Sequence, residues 1–276
     1  MPAIRSTLAA LAALGLAAAP LPAAAQATGD EAADADILVL APFAVEDLPV
    51  QAGAPPHMRA RSSQNIASEV DRFVRCTGLP EPRDLRAILD NAPRHFNAKH
   101  ALHRFIAGNQ GCYIGYPFPP PSAPAFGECN PEYLSDVMRV CRATYDRGAL
   151  YERAIETYGE GIVLTRMQTF DPKVRQRFLV RAQRRDKLRV PMDLKYASTV
   201  GCMVQVAPEY ARQLLAAEAG SEEETRARQI MIGLGQPCLG SAKRVKADAA
   251  QFRAYTAEAV YAWLVAAAER TTLVTG

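Results

Sequence analysis

Beyond residue 61, apolar residues recur at helical spacing in short runs separated by Pro, Gly and Ser, and this pattern predicts a series of short helices. Ser62 or Ser63 caps the first, in which Ile66, Val70, Phe73 and Val74 form one face running into Cys76. Thr77 to Pro80 break it, and Pro82 fits the first turn of a second helix with Leu85, Ile88 and Leu89 as its inward stripe. Pro93 ends that helix. A third runs from about Asn97 through Ala101, Leu102, Phe105 and Ile106 to Gly108, with Cys112 just past its end. The same plan recurs downstream. Leu194, Ala197 and Val200 approach Cys202, and Pro208 opens a helix carrying Ala211, Leu214 and Leu215. Gly220-Ser221 turns the chain, and Glu222, Glu223 and Glu224 fall in the first turn of the next helix, where the macrodipole favours acids. Ile230, Met231 and Leu234 then pack before Cys238.

Sliding the window Cys76–Cys112 forward by 126 places lays it on Cys202–Cys238. The matches are Cys76/Cys202, Pro82/Pro208, Arg86/Arg212, Leu89/Leu215, Ala101/Ala227, Ile106/Ile232, Gln110/Gln236 and Cys112/Cys238. Helix starts coincide as well as cysteines, so the chain reads as an internal duplication. Each unit has a closing helix: Arg147-Gly148-Ala149-Leu150-Tyr151-Glu152 parallels Arg253-Ala254-Tyr255-Thr256-Ala257-Glu258 at an offset of 106. The first unit has therefore gained 126 − 106 = 20 residues. Tyr116 to Pro124 and the segment to Cys129 account for the gain; their proline content predicts a stiff, extended spacer.

Charge changes the picture in one place. From Lys173 to Arg189 the chain carries Lys173, Arg175, Arg177, Arg181, Arg184, Arg185, Lys187 and Arg189 against one acid, Asp186. Asp171-Pro172 supplies a cap and first turn, which predicts a basic, solvated connecting helix with Val174, Phe178, Leu179 and Ala182 facing inward. Through Lys173, Arg175, Arg177, Arg181, Arg184 and Arg185 such a face can meet an anionic polymer or lipid surface. The whole-chain net charge of +3 is too weak to imply nucleic acid.

The N-terminus reads as a secretory signal over residues 1–25: Arg5, an apolar run from Leu8 to Ala19, and a small-residue cleavage site near Ala25 or Ala27. The run falls short of the roughly 20 residues that span a bilayer, and no later stretch approaches that length. Residues 26–60 form a tail, acidic at first and closing on Pro55-Pro56, with Ile37-Leu38-Val39-Leu40 as a short strand-like patch. The stretch Asp34 to Val39 resembles the box near the mature N-terminus of TonB-dependent receptors, which pairs as a strand with its partner. Those receptors are large barrels, and nothing downstream here alternates like barrel strands. The expectation is that the patch docks on its own domain.

Six cysteines in an exported chain read as disulfides. If the repeats share a structure, Cys76–Cys112 and Cys202–Cys238 are the symmetric pairs and Cys129 joins Cys141. No Cys-x-x-Cys, nucleophile elbow, phosphate loop or dinucleotide fingerprint occurs, so neither a catalytic residue nor a cofactor is assigned. For chemistry, His100 and His103, three apart on a helix, are the candidate metal ligands, and Glu152 and Glu258 the candidate general acids of an envelope hydrolase. The expected architecture is all-α: two disulfide-stapled helical repeats, residues 61–160 with the insertion 116–129, and residues 161–276 including the basic helix. The mature region, with its Arg147–Glu152 segment, resembles uncharacterised secreted cysteine-containing proteins of alphaproteobacteria. The expected role is structural or interactive, with another envelope protein as partner; small-ligand or metal binding at His100 and His103 is the alternative.

Overall fold

The computed structural model describes residues 37–40, 63–112, 143–189, 191–240 and 244–276. The expected signal segment, most of the tail, the Pro-rich insertion and the Cys129–Cys141 pair lie outside the described residues.

Ten α-helices stand among the described residues: α1 Ser63–Thr77, α2 Pro82–Asp90, α3 Phe96–Gly108, α4 Ala143–Tyr158, α5 Arg166–Phe170, α6 Pro172–Asp186, α7 Pro191–Val206, α8 Pro208–Ala216, α9 Glu222–Leu234 and α10 Ala249–Ala267. Short 3-10 turns follow α3 at Gln110–Cys112 and α9 at Gln236–Leu239. The fold is thus helical, with one addition. The strand β1, Ile37–Leu40, pairs in parallel with β2, Arg244–Ala247, so the apolar patch of the tail is met by the chain's own backbone.

Local chemistry explains the helix boundaries. Pro82 and Pro208 occupy the first turns of α2 and α8, where a missing N–H costs nothing. Asp171 caps α6 by accepting from the amides of Lys173 and Val174, and Ser221 caps α9 by accepting from Glu224. The helix α2 has the same length as α8, nine residues, and α3 the same length as α9, 13 residues. Both pairs begin 126 residues apart, at 82/208 and 96/222. Disulfides Cys76–Cys112 and Cys202–Cys238 tie α1 and α7 to the 3-10 turns behind α3 and α9.

The core gathers around α10. Fourteen of its 19 residues are buried, among them Phe252, Tyr255, Val260, Tyr261, Trp263 and Leu264. A helix apolar on every side has to be surrounded, and α10 packs against α1, α4, α6, α7 and α8. Its closest approach is to α4. A Cβ on Gly148 would lie 2.6 Å from that of Ala254 and 2.9 Å from its Cα, so the crossing depends on glycine. Gly148 and Ala254 are the positions related by the 106-residue offset (148 + 106 = 254), which places the crossing at equivalent points of the two helices.

The predicted inward faces hold for α1 to α3: Val70, Phe73, Val74, Leu85, Ile88, Leu89, Ala101, Leu102, Phe105 and Ile106 are all buried. Three expected core leucines are not. Leu179, Leu194 and Leu234 are exposed by 48%, 38% and 45%. Leu194 sits in the first turn of α7 and Leu234 is the last residue of α9, so both lie at helix ends, away from the buried stripes. Leu179 is turned out because α6 presents a different face inward, described next.

Candidate functional site

The inward face of α6 is built largely of arginine. Arg177, Arg181, Arg185 and Arg189 recur every four residues, so they form one stripe along the helix and its C-terminal extension. Arg177 donates to the Ala266 carbonyl at 2.7 Å and pairs with Glu269 at 3.0 Å. Arg181 donates to Asp90 at 2.6 Å and to the Thr271 carbonyl at 2.9 Å. Arg185 meets Glu258 at 2.8 Å and the Tyr151 hydroxyl at 2.6 Å. Arg189, whose side chain is only 2% exposed, is shared by Asp186, Asp193 and Glu258. The Tyr255 hydroxyl donates to Asp193 at 2.6 Å, and that of Tyr151 to the Leu89 carbonyl at 2.7 Å. This corrects the expectation of a solvated connecting helix. Of the basic residues expected to face a polyanion, Arg177, Arg181 and Arg185 are engaged internally, and Lys173, Arg175 and Arg184 are exposed.

The network fixes the protonation of its members. Burial would raise the Glu258 carboxyl, but Arg185, Arg189 and Arg147 outweigh it and pull it down to about 2. Burial pushes the Tyr151 phenol up to about 12. Burial and the adjacent Asp193 charge raise Tyr255 as well. Phe178 stacks on Trp263 with ring centroids 4.0 Å apart, and the Trp263 indole donates to the Gly201 carbonyl at 3.1 Å. A cleft of about 250 Å³ remains between α6, α7 and α10, with Phe178, Ala197, Gly201 and Trp263 on its walls and Arg185 and Glu258 among its polar groups.

On the opposite half, α1, α4, the α8–α9 connection and the start of α10 enclose a larger groove of about 920 Å³. Arg253 stands in it. Its guanidinium grips Glu152 through Nε at 2.9 and 3.1 Å and Nη2 at 2.7 Å. It also donates to the carbonyls of Leu214, Leu215 and Ala217, closing the C-terminal end of α8. Burial raises the Glu152 carboxyl, against the pull of Arg253.

Both candidate acids are therefore held by arginine. The partner of Glu152 comes from across the α4–α10 crossing and those of Glu258 from α6 and the residues after it, not from the arginine five residues earlier, because residues five apart on a helix point to different sides. Glu152 pairs with Arg253, and Glu258 feels Arg147, itself 8% exposed, in addition to α6. Glu258, ionised down to about 2, has no proton to give near neutrality. Both oxygens of Glu152 accept from Arg253.

The histidines lie elsewhere. His95 caps α3, its Nδ1 accepting from the Asn97 amide at 3.2 Å; His100 is exposed and stacks on Phe96; His103 is half-buried on the same helix. Among the described residues no three His, Cys, Asp or Glu side chains gather as a metal site. The signal missed in the sequence was the four-residue period of arginine, which coincides with that of Val174 and Phe178. No family model, curated protein or solved structure matches this chain.

Proposed function

We propose that this chain is an exported envelope protein, two related disulfide-stapled helical repeats, whose task is to bind another envelope protein and not to catalyse. The observation that carries the reading is how the ionisable groups are used. Glu152, Glu258, Asp90 and Asp193 are all tied to arginines that join one helix to another, so the buried charge serves packing. Among the described residues, a polar groove of about 920 Å³ is left uncovered between the halves. The matching lengths and spacing of α2/α8 and α3/α9 support the duplication. Two disulfides among the described residues, and no helix there long and apolar enough to cross a membrane, agree with export. Exposed Lys173, Arg175 and Arg184 leave a smaller basic face for an anionic polymer or lipid surface.

Affinity capture with the full-length protein from native envelope, followed by cross-linking, tests the role. A stoichiometric protein partner recovered repeatedly supports it, and recovery of the protein alone, together with turnover of any envelope substrate, overturns it. N-terminal sequencing of the mature protein tests export, with a start near Gln26 or Thr28 expected.

A further inference from the structure

The two halves differ in what lies on their outer faces. In the second half α6 rests in a bed made by α7, α10 and the C-terminal end of α2: Phe178 is set over Gly201, Arg185 reaches Glu258 and the Asn91 carbonyl, and Arg181 reaches Asp90. The offsets of 126 and 106 residues turn Gly201, Glu258, Asp90 and Asn91 into Arg75, Glu152, Ala216 and Ala217. All four of these line the open groove. The groove is thus the counterpart of the bed that α6 fills, with no described helix in it. We propose that it is a docking site for a basic amphipathic helix of a partner protein, seated as α6 is seated, with an arginine directed at Glu152.

Charge agrees with that occupant. The walls carry Asp71, Glu152, Glu156, Glu218 and Glu224 against Arg75, Arg153 and Arg253, five acids to three bases. Glu258 is paired with Arg185 of α6 and Arg189 just beyond it, besides the influence of Arg147, whereas among the described residues Glu152 has Arg253 alone as its hydrogen-bonded partner. The rest of this chain holds no second ladder of arginines at four-residue spacing. Residues 41–62 contain Arg59 and Arg61 with Glu46, Asp47 and four prolines, and residues 113–142 contain only Arg139 and Arg142 as cations. Its own ladder is spent on Glu269, Asp90, Glu258, Asp186 and Asp193, so the matching surface belongs to a partner protein. Two differences shape the guest. Arg75 replaces Gly201 and Thr157 replaces Trp263, so the groove has no shelf for an aromatic like Phe178. Recognition then rests on charge and falls steeply with salt.

This assignment rests on the interaction reading above. The probe is a labelled synthetic peptide with the sequence of residues 170–190 carrying Phe178→Ala, titrated into the full-length protein at low ionic strength. Expected is saturable binding that 0.5 M salt abolishes, that Glu152→Gln weakens at least about tenfold, and that the exposed rim change Glu218→Lys also weakens. Glu160→Gln, outside the groove, leaves it unchanged. Thermal unfolding of each variant separates lost binding from lost folding. A photo-reactive group on the peptide is expected to label residues 67–75 and 215–218. Absence of binding overturns the assignment, as does labelling confined to α7 and α10, which would mean exchange with the resident α6. If an envelope partner is captured equally well by the wild type, Glu152→Gln and Glu218→Lys, the groove assignment fails while the interaction role stands.

Discussion

Glu258 is the acid that buried Arg185 of α6 and Arg189 just beyond that helix share, so its removal leaves both short of a counter-charge in a low-dielectric interior. Breaking such a network from one side costs more than the pair itself contributes, because the desolvation of the survivors is no longer offset. Glu258→Ala is expected to lower stability by about 3–5 kcal/mol, read as a shift of the urea midpoint at pH 7 without loss of slope. Gly148 makes a different demand. With 2.6 Å between an added Cβ and that of Ala254, Gly148→Ala must push α4 from α10. A loss of roughly 1–3 kcal/mol or more is expected, and Gly148→Ala combined with Ala254→Gly should recover only part of it, since the contact with the residue-254 Cα at 2.9 Å remains. Thermal melts of the two single variants and the double variant check this cycle.

At the level of elements, α6 shows how a pattern can be read correctly as a helix and wrongly as a surface. Asp171-Pro172 announced its start, and the start is where expected. Its charge suggested solvation because basic residues are rarely buried. Guanidinium groups, however, can each meet several acceptors at once, and here the acceptors come from α2, α4, α10 and the C-terminal segment, remote in sequence. Position along the chain gives no hint of those partners. The disulfides behave oppositely: paired spacing made them legible, and they close loops within one unit. The model in which a cross-link restricts the unfolded chain gives about 4 kcal/mol for a 37-residue loop. The double change Cys202→Ser/Cys238→Ser is therefore expected to lower the melting temperature strongly, and dithiothreitol should reproduce the effect in the wild type.

For the whole molecule, acid is the informative perturbation. Glu258 is held at about 2 against an ordinary 4.5, so between those values the folded state binds fewer protons than the unfolded one and stability rises with pH. The contribution, on the order of 3 kcal/mol, is present above about pH 5 and lost as pH falls from 4.5 towards 2. Glu152 and Asp186, both raised by burial, act in the opposite sense and soften the upper part of that limb. Urea midpoints measured from pH 6 to pH 2.5 are expected to fall for the wild type and to fall less for Glu258→Gln, which starts lower.

The starts of α2, α6 and α8, the Asp171 cap and the two staples among the described residues were determined by the chain alone, because each depends on residues a few positions apart or on a spacing that recurs. The buried stripes of α1, α2 and α3 were legible for the same reason. Tertiary structure decided the rest: that α10 lies at the centre, that Arg253 crosses to Glu152, and that α6 turns its arginines towards α2, α4 and α10. Those facts come from which side of a helix meets which neighbour, and a local pattern constrains the side that is apolar without naming the charge waiting across from it.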